Sequence, residues 1–210
     1  MNRRNYAKEL NRIIENSGGI KPRLLLHCCC GPCATSVLES LAQHFNITAL
    51  WYNPNLYPES EFSLRLETLK EVIKKLGLEE KVNLIELPWD HNAYTDFVKG
   101  LEQEKEGGSR CSACFTLRLR ETAKTAKQLG FDYFCSTLTV SRHKDAVLIN
   151  SIGEELAAQY GVLWLPSDFK KNSGENRSAE LSGQLGIYRQ LYCGCEFSLE
   201  ARNRGRDENK

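Results

Sequence analysis

The feature that most constrains this chain is the run Arg23-Leu24-Leu25-Leu26-His27-Cys28-Cys29-Cys30-Gly31-Pro32-Cys33, followed by Ala34-Thr35-Ser36. Three leucines and a histidine predict a buried strand, the cysteines crowd the turn, and a helix follows. In a nucleotide-binding α/β protein the turn after the first strand is where glycine-rich loops cradle phosphate. Here that turn is filled with thiols. Whatever thiolates hold or do must sit at the strand's carboxyl end.

The rest of the chain alternates in the same way. Residues 3–16 predict an amphipathic helix, ended by Ser17-Gly18-Gly19. The stripe Ala34, Val37, Leu38, Leu41, Ala42 and Phe45 predicts a helix facing a sheet. Residues 47–52 form a second apolar strand, 53–58 a loop by its prolines and asparagines, and Phe62, Leu66, Leu69, Ile73 and Leu76 a further helical stripe. A third strand over 82–87 leads to a helix over 90–104, with Asp90 as its N-cap. The glycine-rich break before residue 109 places Arg110-Cys111-Ser112-Ala113-Cys114 at the opening of the next helix. A strand over 131–135, a loop at 136–141, a helix carrying Leu148, Ile152 and Leu156, and a fifth strand over 162–165 follow.

Five apolar strands alternating with helices predict an α/β fold: a doubly wound, mostly parallel five-stranded sheet, Rossmann-like and adenine-nucleotide-hydrolase-like in class. Right-handed crossovers put the strand ends on one rim, where ligands bind at the point of strand-order reversal. One domain over 1–210 is expected: a sheet core over 20–166, an irregular helical cap over 167–203 lying on the active rim, and a frayed tail over 204–210.

Net charge of +1 exerts no global pull toward nucleic acid, so such contact needs a local patch. Arg110, Arg118, Arg120, Lys124 and Lys127 around the second cysteine motif offer one. Lys170, Lys171, Arg177, Arg202, Arg204 and Arg206 lie further on, and Tyr52, Tyr57, Tyr188 and Tyr192 are available for stacking. With no apolar run long enough to span a bilayer and no secretory signal, a cytoplasmic protein without membrane contact is expected. Nine cysteines then point to metal or redox chemistry rather than a disulfide framework.

Cys29-Cys30 and Cys111-x-x-Cys114 supply four sulfurs from two elements. A CxxC pair at a helix opening can hold one metal or cluster, with the helix dipole lowering the thiol pKa. Adjacent cysteines diverge, which favours a wide iron–sulfur cluster over structural zinc, with thiol redox chemistry as a third reading. Cys193-Gly194-Cys195 suits a strained, easily reduced disulfide that relays electrons, or else two more metal ligands. Asp168, just past the fifth strand, is placed for a metal or proton role or for a cap. His27 reads as a core histidine, and Cys135 as a plain strand residue.

Together the motifs His27-Cys28-Cys29-Cys30-Gly31-Pro32-Cys33, Cys111-x-x-Cys114 with Phe115 and Arg118, Ser167-Asp168-Phe169-Lys170, and Leu191-Tyr192-Cys193-Gly194-Cys195 resemble the QueH family of epoxyqueuosine reductases, from about residue 22 to about 203. The resemblance implies reduction of epoxyqueuosine at the tRNA wobble position to queuosine, with a [4Fe–4S] cluster and no cobalamin. It implies cluster ligands at Cys29, Cys30, Cys111 and Cys114 and a redox-active pair at Cys193 and Cys195. Cys28 is then an extra thiol, and Cys33 fits the pattern without a role. The divergence of Cys29 and Cys30 leaves room for a second mononuclear iron, one of them joining Asp168 or Cys195. Partners are tRNA carrying epoxyqueuosine and an electron donor that the sequence does not name. The rival from another class is a non-catalytic zinc protein that binds tRNA.

Overall fold

The computed structural model describes residues 4–207. Strands β1 (Arg23–His27), β2 (Asn46–Trp51), β3 (Val82–Glu86), β4 (Tyr133–Ser136) and β5 (Leu163–Trp164) form one sheet in the order β3-β2-β1-β4-β5, every pairing parallel. The chain winds outward from β1 to β3, then crosses back to start again beside β1. The reversal therefore lies between β1 and β4, and the turns after these two strands flank one crevice. Leu24, Leu25 and Leu26 are fully buried because β1 is central and covered on both faces.

Helices α2 (Gly31–Leu41) and α3 (Glu59–Lys75) pack together on one side, with α7 (Gly174–Gln184) against α2. Helices α5 (Ser109–Gln128) and α6 (Ala146–Tyr160) pair on the other. The remaining helices are α1 (Tyr6–Asn16), α4 (His91–Phe97) and α8 (Glu196–Asp207). A Cβ on Gly31 would stand 2.6 Å from Thr68 Cγ2, so only glycine lets the start of α2 settle onto α3. Ser178 Oγ donates to Pro32 O (2.6 Å), which fixes α7 over the cysteine-rich turn.

The expected sheet is present, with differences of physical origin. The helix expected over 90–104 is only α4, capped as expected by Asp90, whose side chain accepts from Ala93 N at 3.1 Å. Beyond it Val98 and Leu101 keep the apolar spacing but lie in turns, because Gly100 adopts φ +85°. The loop after β4 is a 3₁₀ turn over Thr137–Val140. Helix α8 continues through Asp207, so the tail expected to fray from 204 is helical as far as described; 208–210 lie outside the described residues, as does Arg3 of the first helix.

Candidate metal and redox centre

The turn between β1 and α2 gathers thiols because the chain must reverse from a buried strand into a buried helix within a few residues. Cys30 is the extended N-cap of α2, and Cys33 lies in its first turn. Sγ atoms of Cys29, Cys30 and Cys33 lie within 4.8 Å of one another, the 29–30 separation being 3.8 Å. Hydrogen bonds from the Cys30 and Cys33 thiols hold Cys29 well below the ordinary thiol range, although burial opposes this. The same bonds, with burial, push Cys30 up to about 12 and raise Cys33. Negative charge in the trio therefore falls preferentially on Cys29. Gln190 Nε2 donates to Cys30 Sγ at 3.0 Å, bringing the C-terminal segment to the group.

The second group forms where α5 opens. Cys111 Sγ accepts from Gly107 N (3.2 Å), yet burial leaves its pKa raised. Burial pushes Cys114 up to about 12 against the nearby Arg118 charge. The helix-dipole lowering expected for this pair is thus overridden by desolvation. Cys114 and Cys195 share a small apolar cluster with Tyr94, Val98 and Leu117. Cys195 is raised by burial first, while the Tyr94 hydroxyl donates to it. Cys193 stands within electrostatic reach of Cys111, Cys114 and Cys195.

Two cations join the groups. Arg118, one turn beyond Cys114 and 3% exposed, acts on Cys114, Cys193 and Cys29; its Nε donates to Cys114 O (3.2 Å). Its Nη2 is buried without a hydrogen-bond partner among the described residues. Lys144, from the loop before α6, stands within electrostatic reach of Cys29, Cys193 and Cys33; burial would lower its pKa, and the pull of these sulfurs, Cys29 first, outweighs it. Beside Lys144 lies a cavity of about 380 Å³ whose wall includes Arg4, Tyr6, Asp168, Lys170 and Lys171. Asp168 is there, but as the ion-pair partner of Lys170 (2.8 Å).

Other expectations divide cleanly. His27 is a core histidine: fully buried, it donates from Nε2 to Tyr52 O (3.1 Å), and Nδ1 accepts from Ser136 Oγ (2.8 Å). Cys28 and Cys135 are buried, the Cys28 thiol bonding Leu26 O and the Cys135 thiol bonding Ser136 O, Leu165 O and Ser167 Oγ. The basic face expected on α5 is split: Arg120, Lys124 and Lys127 are exposed, while Arg110 and Arg118 turn inward. Arg110 and Arg118 are buried, Arg110 Nη1 donates to Glu102 O and Glu104 O and lies over Phe197, Lys124 pairs with Glu121, and Lys127 bonds Gly161 O. The sequence reading missed Cys33 as a group member, and missed Lys144, Gln190 and the role of Arg118. Only the Cys114–Arg118 helical spacing carried a signal for any of these.

Comparison with known proteins follows the same lines. The family description "Epoxyqueuosine reductase QueH" matches residues 24–201. A protein of that name from Streptococcus pyogenes serotype M1 is 42% identical over 200 residues, spanning 93% of this chain and 78% of the relative. One from Haemophilus influenzae is 38% identical over 188 residues, spanning 89% and 75%. Among solved structures, the U34-tRNA thiolase NcsA from Methanococcus maripaludis with its [4Fe-4S] cluster superposes with a TM-score of 0.49 at 12% identity, covering 96% of this chain and 73% of that one.

Proposed function

The chain belongs to the epoxyqueuosine reductase QueH family, and from that premise we infer how its thiol centre reduces the epoxide of epoxyqueuosine, at the wobble position of tRNA, to the alkene of queuosine. The observation that carries this reading is the convergence of thiol groups from distant parts of the chain on Arg118 and Lys144, beside an open cavity.

The donors suit an iron–sulfur cluster. They are soft, and all but the half-buried Cys111 are buried; Arg118 Nη2 is a buried donor with no partner among the described residues, so the site lacks negative charge rather than holding too much. Cys29, Cys30, Cys111 and Cys114 would hold a [4Fe–4S] cluster, which spaces its thiolates more widely than a single ion does. When bound, the cluster supplies electrons one at a time. Cys33 adds a third sulfur beside Cys29 and Cys30. A second iron at the rim, between one of that pair and Asp168 or Cys195, belongs to the same proposal; as its ligand, Asp168 would share its carboxylate with Lys170.

Cys193 and Cys195 serve as the two-electron, two-proton donor. An S–S bond forms between them, the epoxide's two C–O bonds break, and the oxygen leaves as water. An external reductant then restores the dithiol. The cavity walled by Lys144, Asp168, Lys170 and Lys171 falls within the about 300–1,000 Å³ typical of small-ligand sites, and its cations suit the phosphates flanking an inserted base.

Anaerobically purified protein should be brown, with about four irons and four sulfides per chain, and should convert epoxyqueuosine to queuosine in defined tRNA. A colourless zinc protein that binds tRNA without turnover would overturn the reading.

A further inference from the structure

Arg65, in the middle of α3, is 2% exposed and lies outside every motif described above. Its guanidinium is spent on three acceptors: Nε donates to Glu61 Oε1 (2.7 Å), Nη1 to Cys193 O (3.0 Å) and Nη2 to Tyr192 O (3.2 Å). Tyr188 OH donates to both Glu61 carboxylate oxygens (3.0 and 3.1 Å), and the Arg65 plane lies 5.2 Å from the Tyr192 ring centre. The segment is pinned on its other sides too. Gly194 O accepts from Tyr57 N (2.8 Å), and Cys193 N donates to Ser198 Oγ (3.0 Å). Gly194 adopts φ +133°, and a Cβ there would come within 3.1 Å of Arg65 Nη1.

Two successive carbonyls turned to one cation fix the peptide planes on both sides of Cys193, and so fix the direction of its side chain. We propose that Arg65 is the positioning residue of the Cys193–Cys195 pair, clamping that segment in the geometry from which the two sulfurs join. The proposal rests on the dithiol reading of that pair. A three-acceptor clamp requires the rigid fork of arginine; lysine presents a single point charge. Arg65 also acts electrostatically on Cys30, so the clamp registers the dithiol against the first thiol group. A pair as buried as Glu61–Arg65 contributes little net stability, because desolvation offsets the attraction. Its effect should therefore fall on the dithiol more than on the fold.

The test uses the full chain with its metal loaded, in three variants. Arg65→Lys keeps the buried charge pair but loses the fork; Glu61→Gln with Arg65→Met removes the pair together; Cys193→Ser tests the underlying reading. The Cys193/Cys195 equilibrium is measured by thiol trapping in dithiothreitol redox buffers, alongside kcat and KM for tRNA. Losing the clamp should shift the equilibrium about tenfold toward the dithiol, equivalent to about 30 mV. It should also lower kcat roughly tenfold with KM within about twofold, the pattern of an interaction felt in the reaction rather than in binding. Both Arg65 variants should keep the iron content. Wild-type kcat and equilibrium in Arg65→Lys, with Cys193→Ser inactive, would overturn the clamp alone. Full turnover in Cys193→Ser would instead overturn the dithiol reading beneath it. If the double variant does not fold, Arg65→Lys decides the matter.

Discussion

Thr137 serves Cys29 twice: its hydroxyl accepts from the Cys29 backbone N–H (3.2 Å) and donates to the Cys29 sulfur (3.4 Å). The contact bridges the turn after β1 and the 3₁₀ turn after β4, the two segments that flank the strand-order reversal. Thr137→Val removes both bonds at nearly constant volume and leaves a buried N–H unpaired, which costs about 1–3 kcal/mol. Urea denaturation should show a loss of that size. The thiol pKa of Cys29, read by alkylation rate in metal-free protein, should rise.

Colour and turnover should separate between the two cysteine motifs. Cys111→Ala removes a proposed ligand at the opening of α5 and should abolish both the iron absorbance and queuosine formation. Cys193→Ser should keep the absorbance and lose turnover. Ultraviolet–visible spectra and nucleoside analysis of the tRNA read the two properties independently. Absorbance retained in Cys111→Ala would remove that residue from the ligand set.

Much of this was legible because local pattern and global fold agree. Leu24–Leu26 announce a buried strand, Asp90 the N-cap of the helix that follows it, and His27 and Cys135 residues of the core, and each stands so in the structure. What was not legible depends on tertiary direction. Arg110 and Arg118 count as a basic patch in any charge tally, yet the helix turns both inward onto backbone carbonyls, Arg118 also within electrostatic reach of the thiols. Lys144 acts electrostatically on cysteines far away in sequence, and Arg65 bonds the Cys193 carbonyl, neither of which any spacing encodes. Cys33 was in plain view, but only the turn of α2 shows that its sulfur meets those of Cys29 and Cys30.

Gly194→Ala tests the backbone of the dithiol segment without touching a thiol. An alanine must adopt φ +133°, which side chains disfavour, and its Cβ would run into Leu56 Cδ2 as well as Arg65. The segment must shift, so the Cys193 and Tyr192 carbonyls leave Arg65. Turnover should fall about tenfold or more, with iron content unchanged, in a single-turnover assay on tRNA. Wild-type turnover would mean that the segment works without its observed geometry.

The pH dependence of stability should carry a signature of His27. Burial first, and the Arg118 charge second, lower its pKa to about 3 in the folded chain, against about 6.5 when unfolded. The unfolded state therefore binds a proton that the folded state refuses between these values. Stability from the neutral, doubly bonded imidazole is fully present above about pH 6.5 and declines as pH falls toward 3, by up to about 1.4 kcal/mol per pH unit. His27→Gln keeps a polar group in the cavity but has no proton to take up. Its unfolding free energy, followed by urea titration at pH 7, 6 and 5, should decline less steeply than that of the wild type. The gap between the two proteins should therefore shrink, or reverse, as the solution is acidified. Parallel pH profiles would show that the imidazole is protonated in the fold despite its burial, and that the Ser136–His27–Tyr52 bonding must then be reassigned.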